Sequence, residues 1–322
     1  MSSAGCVKNN FMMIPPAFSD DVSGYWGESM EKCTSNPIQL SVIIVSYHCL
    51  SYLKDCLDSI EQYNDIGSAL EVIVVDNSST TEIVDWLRSN RPEVIAVQND
   101  NRGFGQGNNV GAKLAHGQYL LFLNPDTQLI EPVFQFAVER FAADPELGVF
   151  GLQLLNGERE KTTTFGLRVP LGTGRRLLGN LCQSTGYFNP KFMQTSGADM
   201  FVDAAAFRAC GMFDADMFMY YEESDICDRM NGIGRSVGLF REKRIVHLEG
   251  KTMVSKLAAR YAAEMKSFEH YCLKSGKNFH RLGKKERRYC RMKQCVFSLL
   301  GNQDRAGEYR QIVSFWDQKL HP

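Results

Sequence analysis

The tetrapeptide Asn124-Pro125-Asp126-Thr127 directly follows an apolar run, Tyr119-Leu120-Leu121-Phe122-Leu123. Such a run makes a buried strand. It delivers the Asp126 carboxylate to the strand's C-terminal end, where open α/β sheets place their ligands. Oxygen ligands suit Mg2+ or Mn2+, so Asp126 is a candidate metal ligand, and Asn124 can add an amide oxygen or a supporting hydrogen bond. A second acidic group, Glu222-Glu223-Ser224-Asp225, comes much later in the chain. Crowding and partial burial raise the pKa of at least one such acid and suit it to take a proton near neutral pH. A carboxylate that holds a divalent cation and another that accepts a proton are the minimum for moving a group off a nucleoside diphosphate. Each piece also has a plainer reading. Asn-Pro-Asp is a common turn, acids in a first helical turn complement the helix dipole, and Arg229 stands four residues beyond Asp225, where it can pair with it.

Three further stretches carry chemistry. Asp76 closes the run Glu71-Val72-Ile73-Val74-Val75 and begins Asp76-Asn77-Ser78-Ser79. A carboxylate there can accept from a base N–H or a ribose hydroxyl, or can simply cap a turn. Asn101-Arg102-Gly103-Phe104-Gly105-Gln106-Gly107-Asn108-Asn109 is glycine-rich and runs into a helix, which lets backbone N–H groups approach a phosphate. Its glycine spacing, and its place after the third strand, fit neither a dinucleotide fingerprint nor a P-loop. That disfavours a nicotinamide-dependent oxidoreductase and leaves a loop for a sugar nucleotide. His247 follows the apolar pair Ile245-Val246 and reads as a further metal ligand, a phosphate donor or a core histidine.

The first half of the chain frames these residues by alternating strand and helix patterns. Leu40 to Val45, Glu71 to Val75, Val94 to Val97 and Tyr119 to Leu123 read as strands. Between them, Leu53, Leu57 and Ile60 share a helical face, and Ser79-Thr80-Thr81-Glu82 reads as a capping box opening the next helix. Asn109 to His116 makes a helix closed by Gly117. Glu131-Pro132 opens another, with Phe134, Val138 and Phe141 inward. This spacing predicts an α/β fold, with a mostly parallel central sheet flanked by helices. Val149 to Leu155 continues as a strand, and Asn156 to Lys191 is expected to be a long irregular segment, a lid or an insertion. Ala198 to Val202 reads as a strand, and Ala204 to Cys210 and Ser224 to Asn231 as short helices. Ser236 to Phe240 and Ile245 to Leu248 read as two short strands, and Val254 to Leu273 as a helix. Three regions are expected: an N-terminal extension over residues 1–37, a main domain over 38–250, and a basic helical C-terminal region over 251–322.

The chain has 322 residues, 44% of them hydrophobic, and a net charge of −1. That supports a large core and gives no electrostatic reason to expect nucleic acid. Ten cysteines are scattered without a C-x-x-C pair, which favours a reduced, cytoplasmic protein over a disulfide scaffold or a zinc site. The first ten residues show no secretory pattern, and no apolar run approaches the ~20 residues that span a bilayer. The stretch from Lys251 onward is rich in Lys and Arg and carries Tyr261, Phe268, Tyr271, Phe279, Tyr289 and Phe297. It suits either a solvated helical pair or peripheral contact with an anionic membrane at the cytoplasmic face of the inner membrane.

In consistent order, several stretches resemble the family-2 inverting glycosyltransferases, in particular the bacterial rhamnosyltransferase-like branch. They are Leu40 to Tyr47, Val74 to Ser79, Asn101 to Gly105, Leu121 to Thr127, Gly197-Ala198, Gly211-Met212-Phe213-Asp214, Phe218 to Cys227 and His247. The resemblance spans roughly residues 39–252. It implies a GT-A fold, in which a nucleotide-binding half merges with an acceptor half, here with a C-terminal helical appendage. It implies donor contacts from Ser46, Tyr47, Asp76, Asn77, Asn101, Gly103, Gly105, Asn108, Asn124 and Pro125. It also implies Mg2+ or Mn2+ at Asp126, with His247 near the metal, and a catalytic base among Glu222, Glu223 and Asp225. The second acid of the family's Glu-Asp-x-Asp stretch is Glu223 here, one methylene longer than Asp, which moves a carboxylate by about 1 Å.

The implied reaction is a direct displacement. The base takes a proton from an acceptor hydroxyl, whose oxygen attacks the anomeric carbon of a nucleotide-sugar donor and inverts it. The branch implies dTDP-L-rhamnose as donor, with a UDP-linked sugar as the alternative. The acceptor it implies is a glycan or polyprenyl-linked saccharide in cell-surface polysaccharide synthesis, such as O-antigen. The exchange at position 223 also keeps in view a non-catalytic sugar-nucleotide or glycan-binding protein.

Overall fold

A computed structural model describes residues 37–248 and 257–320. The N-terminal extension through residue 36, and the stretch after Leu248 that holds Gly250, Lys251 and Lys256, lie outside the described residues.

Runs rich in Val, Ile and Leu make the strands of the first half, because branched side chains pack well on a pleated, buried surface. They are β1 (Leu40–Ser46), β2 (Leu70–Asp76), β3 (Ile95–Gln98) and β4 (Tyr119–Leu123). All four run parallel, and β1 lies between β2 and β4, with Leu40 opposite both Leu70 and Tyr119. Parallel strands in this register end at one edge of the sheet, so Ser46, Asp76 and Asn124 emerge together. Helices α1 (Leu50–Gln62), α2 (Glu82–Asn90), α3 (Phe104–Leu114) and α4 (Phe134–Ala143) connect and cover the sheet. Leu53, Leu57 and Ile60 of α1 and Phe134 and Phe141 of α4 are buried in one core, as their spacing predicts. On the opposite face α3 sits so close to β1 that a methyl group at Gly111 would overlap the Ile43 side chain.

The second half extends the same sheet. After the short β5 (Thr127–Leu129) come β6 (Leu147–Leu155), β7 (Phe165–Leu167), α5 (Thr173–Thr185), β8 (Met193–Thr195), β9 (Asp199–Asp203), α6 (Ala204–Ala209), α7 (Glu222–Gly232) and β10 (Ser236–His247). The eight-stranded sheet has the order β3-β2-β1-β4-β9-β6-β10-β5, and β7 pairs with β8 apart from it. Strand β9 runs antiparallel to both β4 and β6, and β5 runs antiparallel to β10, so the sheet is mostly parallel but mixed. Aromatic rings bind the halves: Phe150 stacks on Phe201 at 4.8 Å, and Phe122 meets Phe207 and Phe213 at 5.0 and 4.9 Å.

Three C-terminal helices, α8 (Leu257–Lys274), α9 (Phe279–Leu299) and α10 (Gln303–Leu320), enclose a core around Trp316. The same cluster takes in Val169, Leu171, Met217 and Tyr221 from the preceding region, so these helices share a core with the turn that leads into α7. Among the described residues no helix is long and apolar enough to cross a membrane, and the described cysteines are free thiols.

Several local expectations change. The segment 156–191 is not irregular: it holds β7 and α5, and α5 is bracketed by Gly172 (φ 81°) and the left-handed Gly186 (φ 72°). Its leucines face outward, so no core periodicity marks it. Helix α3 begins at Phe104, well before Asn109. Thr81 takes the N-cap of α2 without a side-chain hydrogen bond, so the capping box does not form. Pro132 precedes the N-cap residue Val133 of α4 instead of opening the helix. The two short strands after α7 are one strand, β10, with a break in register between Phe240 and Arg244.

Candidate active site

The edge where the parallel strands end carries a polar layer. Asp76 is fully buried. Its Oδ1 accepts from Ser46 Oγ at 3.0 Å, from the Ser78 N–H at 3.1 Å and from Ser78 Oγ at 2.7 Å. Its Oδ2 is also buried and has no hydrogen-bond partner among the described residues. A buried acceptor left open is costly, on the order of 1–3 kcal/mol, unless something donates to it. Asn77 donates to the Gly103 carbonyl at 3.4 Å and accepts from Asn99 at 2.7 Å. Tyr47 is exposed at the mouth, its ring edge-on to His48 at 4.6 Å. Asn101 is exposed and its Oδ1 accepts from the Gly103 N–H at 3.3 Å.

The glycine-rich stretch does less for a phosphate than its sequence suggests. Gly103 has φ 106° and lies on the Phe218 backbone, where no side chain fits. Gly105 sits inside the first turn of α3, 3.1 Å (to a Cβ built there) from Phe213 Cβ and 3.3 Å from Glu222 Cγ. Gly107 packs against Val45 and Asn77. Asn108 is buried and donates back to the Phe104 carbonyl at 3.1 Å. The glycines let α3 pack closely on its neighbours, and the Asn108 amide is engaged within its own helix.

At the end of β4, Asn124 and Asp126 converge on His247. His247 Nε2 lies 3.3 Å from Asp126 Oδ1 and 3.4 Å from Asn124 Nδ2. The Leu248 N–H donates to the Asp126 carbonyl at 3.0 Å, locking the end of β10 to this turn. Pro125 is buried within it. Either Nε2–H donates to Asp126, or the imidazole lone pair faces the carboxylate and a cation takes the proton's place. A carboxylate oxygen and an imidazole nitrogen in this arrangement fit Mn2+ or Mg2+, with the Asn124 amide nitrogen beside the imidazole. Cys49 and Cys56 pack nearby, and Cys56 Sγ reaches the Asn124 carbonyl at 3.8 Å. Burial first, and the Asp126 charge second, push their thiols up to about 11 and about 12.

The acidic group divides by environment. Two consecutive tyrosines, Tyr220 and Tyr221, adopt left-handed backbone (φ 71° and 70°) immediately before α7. For bulky residues this stores roughly 1–3 kcal/mol each. The Tyr221 ring is held by Phe268 and Tyr271 of α8 at 4.9 and 5.6 Å, and Ser267 Oγ donates to the Met219 carbonyl at 2.8 Å. The strained turn presents Glu222 and Glu223. Glu222 is buried, and its Oε1 has no hydrogen-bond partner among the described residues. Burial, with the neighbouring Glu223 adding to it, raises its pKa well above the carboxylate range. Glu223 is half-buried and its pKa is also raised, by burial. Its carboxylate lies directly on Gly197, where a methyl group would overlap Oε1. Asp225, the third of these acids, is ion-paired. Its oxygens accept from Arg229 (Nε at 2.8 Å) and from Lys274 Nζ at 3.0 Å, and it lines a separate hollow of about 460 Å3 with Asp228, Arg229 and Lys274.

Gly197-Ala198 ties the two acid sites together. Gly197 touches Glu223, and the Ala198 carbonyl accepts from the Asn124 N–H at 3.0 Å. On the other side, Phe104 N–H donates to the Phe218 carbonyl at 2.9 Å, and Asn109 exchanges two hydrogen bonds with the Phe213 backbone at 2.8 and 3.0 Å. The Gly197-Ala198 segment therefore joins the turn after β4 to Glu223. Sequence reasoning missed the Asn109 clamp, whose signal was a buried amide on a helix. It also missed Asp199, an acid inside an apolar strand, which burial raises well above its ordinary pKa and whose Oδ2 accepts from the Leu152 N–H at 2.7 Å. A further cluster, Asp214, Asp216 and His270, brings possible ligand atoms within 4.8 Å of one another. Burial alone would raise Asp214, but Lys274, the Asp216 N–H and His270 hold it at about 2, so it already has its counter-charge. Of the aromatic residues expected at a membrane, Tyr261, Phe268, Tyr271 and Phe279 are buried in the C-terminal core and cannot serve there.

The fold is that of a sugar-transferring class of α/β proteins. Residues 41–210, a little over half the chain, match the model of glycosyl transferase family 2, and the chain belongs to that family. It is 27% identical over 214 residues to the low-salt glycan biosynthesis hexosyltransferase Agl10 of Haloferax volcanii, covering 65% of this chain and 66% of that protein. It is 28% identical over 93 residues to the poly(ribitol-phosphate) beta-N-acetylglucosaminyltransferase TarS of Staphylococcus aureus, 28% of this chain and 16% of TarS. The chain thus matches at most about two thirds of the length of these relatives. Among solved structures, the mannosyltransferase PcManGT from Pyrobaculum calidifontis, in complex with GDP-Man and Mn2+, superposes with a TM-score of 0.53 at 18% identity, covering 74% of this chain and 65% of that one. GalNAc-T7 with UDP, GalNAc and Mn2+ gives 0.52 at 17% identity, covering 71% of this chain and 48% of that one. At these identities the likeness establishes the fold, a GT-A-like mixed α/β architecture with a helical C-terminal region.

Proposed function

We propose that the protein is an inverting, metal-dependent glycosyltransferase with Glu223 as its base. The observation that carries this reading is the Gly197-Ala198 link, which seats Glu223 on one side and the Asn124–Asp126 turn on the other. Asp126 and His247, supported by Asn124, would hold Mn2+ or Mg2+. Such an ion, when bound, neutralises charge on a departing diphosphate. The open Oδ2 of Asp76 meets a base N–H or a ribose hydroxyl, Ser46 and Ser78 fix that carboxylate, and Tyr47 offers a ring to the base at the mouth. Glu223, with its raised pKa, takes the proton from an acceptor hydroxyl. The hydroxyl oxygen then forms a bond to the anomeric carbon as the bond to the diphosphate breaks on the opposite face. Burial raises the pKa of Glu222 further than that of Glu223, which favours Glu223 as the acid of the two that ionises.

The resemblance to the rhamnosyltransferase-like branch makes dTDP-L-rhamnose the first donor to test, with UDP sugars as rivals. The acceptor we infer is a glycan or polyprenyl-linked saccharide. Thermal-shift titration against nucleotide sugars with and without Mn2+ tests the reading. A ligand at 100 Kd stabilises by about 2.7 kcal/mol. The melting temperature is expected to rise by several degrees with one nucleotide class, only with Mn2+ present, and Asp126→Ala is expected to abolish the rise. No response to any nucleotide, or an undiminished response in Asp126→Ala, would overturn it.

A further inference from the structure

Helix α5 carries one buried side chain, Cys182. Its outer face shows Leu177 (64% exposed), Leu181 (59%) and Leu178 (45%), an exposed i, i+1, i+4 apolar patch. Large apolar groups grouped on a surface in this way mark a binding face. The neighbouring helix is α9. Arg176 pairs with Glu286 of α9 and lies 4.8 Å from the Tyr289 ring, and Gly172, which caps α5, abuts Lys285. The leucine face of α5 begins one residue beyond this junction.

Helix α9 is 21 residues long, and its exposed face changes character along its length. In its first turns that face carries Arg281, Lys284, Lys285 and Arg288, all exposed. None of the four has an ion-pair partner among the described residues, whereas Arg291 is paired with Asp317. At a spacing of three and four residues, these cations share one side of the helix. The same side continues as Met292 (44% exposed), Val296 (41%) and Leu299 (87%), and Leu300 (73%) follows in the turn to α10. The acid in the cationic stretch, Glu286, is buried and bound to Arg176 and the Gly172 N–H. It does not offset the surface charge.

We infer that α5 and the outer face of α9 form a docking surface for an anionic lipid bilayer, with the leucines entering the interface and the α9 cations meeting headgroups. Unpaired cations beside uncovered leucines match the two components of such a surface, apolar depth and negative charge. The inference does not rest on the transferase reading, because vesicle binding is measured with neither donor nor acceptor. The test is co-sedimentation of the full chain with vesicles of phosphatidylglycerol and phosphatidylcholine, against pure phosphatidylcholine, at low and high salt. Binding is expected only to the anionic vesicles and is expected to weaken at high salt, where screening shortens the reach of the charges. Lys284→Ala with Arg288→Ala should weaken it by about five-fold per cation, and Leu177→Ser with Leu181→Ser by about tenfold per leucine. These positions are exposed, so both double variants should keep the wild-type melting temperature. Absence of anionic-vesicle binding, or binding unchanged in both variants, would overturn the inference. So would a dimer in sedimentation velocity that the leucine variant dissociates while vesicle binding is missing, since the face would then belong to a second copy of the chain.

Discussion

Gly197→Ala is the sharpest test of where the base sits. The backbone at 197 is not left-handed, so alanine is tolerated by the main chain, and the sole serious conflict is with the Glu223 carboxyl group. A methyl group there overlaps Oε1 and crowds the rest of that side chain. Clearing it requires the carboxylate to move by about 1 Å, and a misplacement of that size costs up to about 100-fold in rate. The conflict is with the mobile end of a side chain, so the expected stability loss is small, about 1 kcal/mol or less. Donor affinity should hold, because Asp76, Ser46 and Asp126 are untouched. The assay is steady-state transfer, with kcat and donor KM followed separately, beside a melting curve with and without nucleotide. A fall in kcat of about 10–100-fold at constant donor KM and constant nucleotide-induced stabilisation supports Glu223. An unchanged kcat would refute the reasoning, since a base in that position cannot be displaced without effect.

Two further outcomes follow from the acid and aromatic environments. Glu222 has a folded pKa above its unfolded value; its contribution to stability is therefore complete below pH ~4.5 and is lost as pH rises toward the folded pKa. Glu222→Gln should remove that loss, so its gain in melting temperature over wild type should be larger at pH 8 than at pH 4; an equal or opposite difference would count against a buried neutral acid. Phe268→Ala empties a fully buried ring site beside Tyr221 and should destabilise by about 3–5 kcal/mol, read by urea unfolding, with transfer lowered at temperatures where the protein remains folded.

The parallel half of the sheet was legible because its strands are continuous apolar runs ended by polar residues, and Asp76, Asn124 and Asp126 fall where those runs stop. The convergence of His247 on Asp126 also follows a strand end. Less could be read where local pattern and tertiary packing part company. The direction of β9 depends on which strands flank it, which an apolar run does not encode. Helix α5 keeps its leucines outside, so core periodicity could not reveal it. The glycines at 105 and 107 read in sequence as part of a loop for a sugar nucleotide, yet in the fold Phe213, Val45 of β1 and Asn77 press against the helix there. Asp225 and Glu223 stand two residues apart, and Lys274, nearly fifty residues on, pairs with Asp225.

The reversed strand β9 has an implication for how such a protein diversifies. Because it runs against β4, its beginning lies opposite the end of β4, Asp199 facing Leu123. Ala198 and Asn124 thus meet whatever the path taken between β6 and β9. The intervening β7, α5 and β8 can lengthen, shorten or change composition while that contact stays in register, as an interchangeable faceplate on a fixed frame.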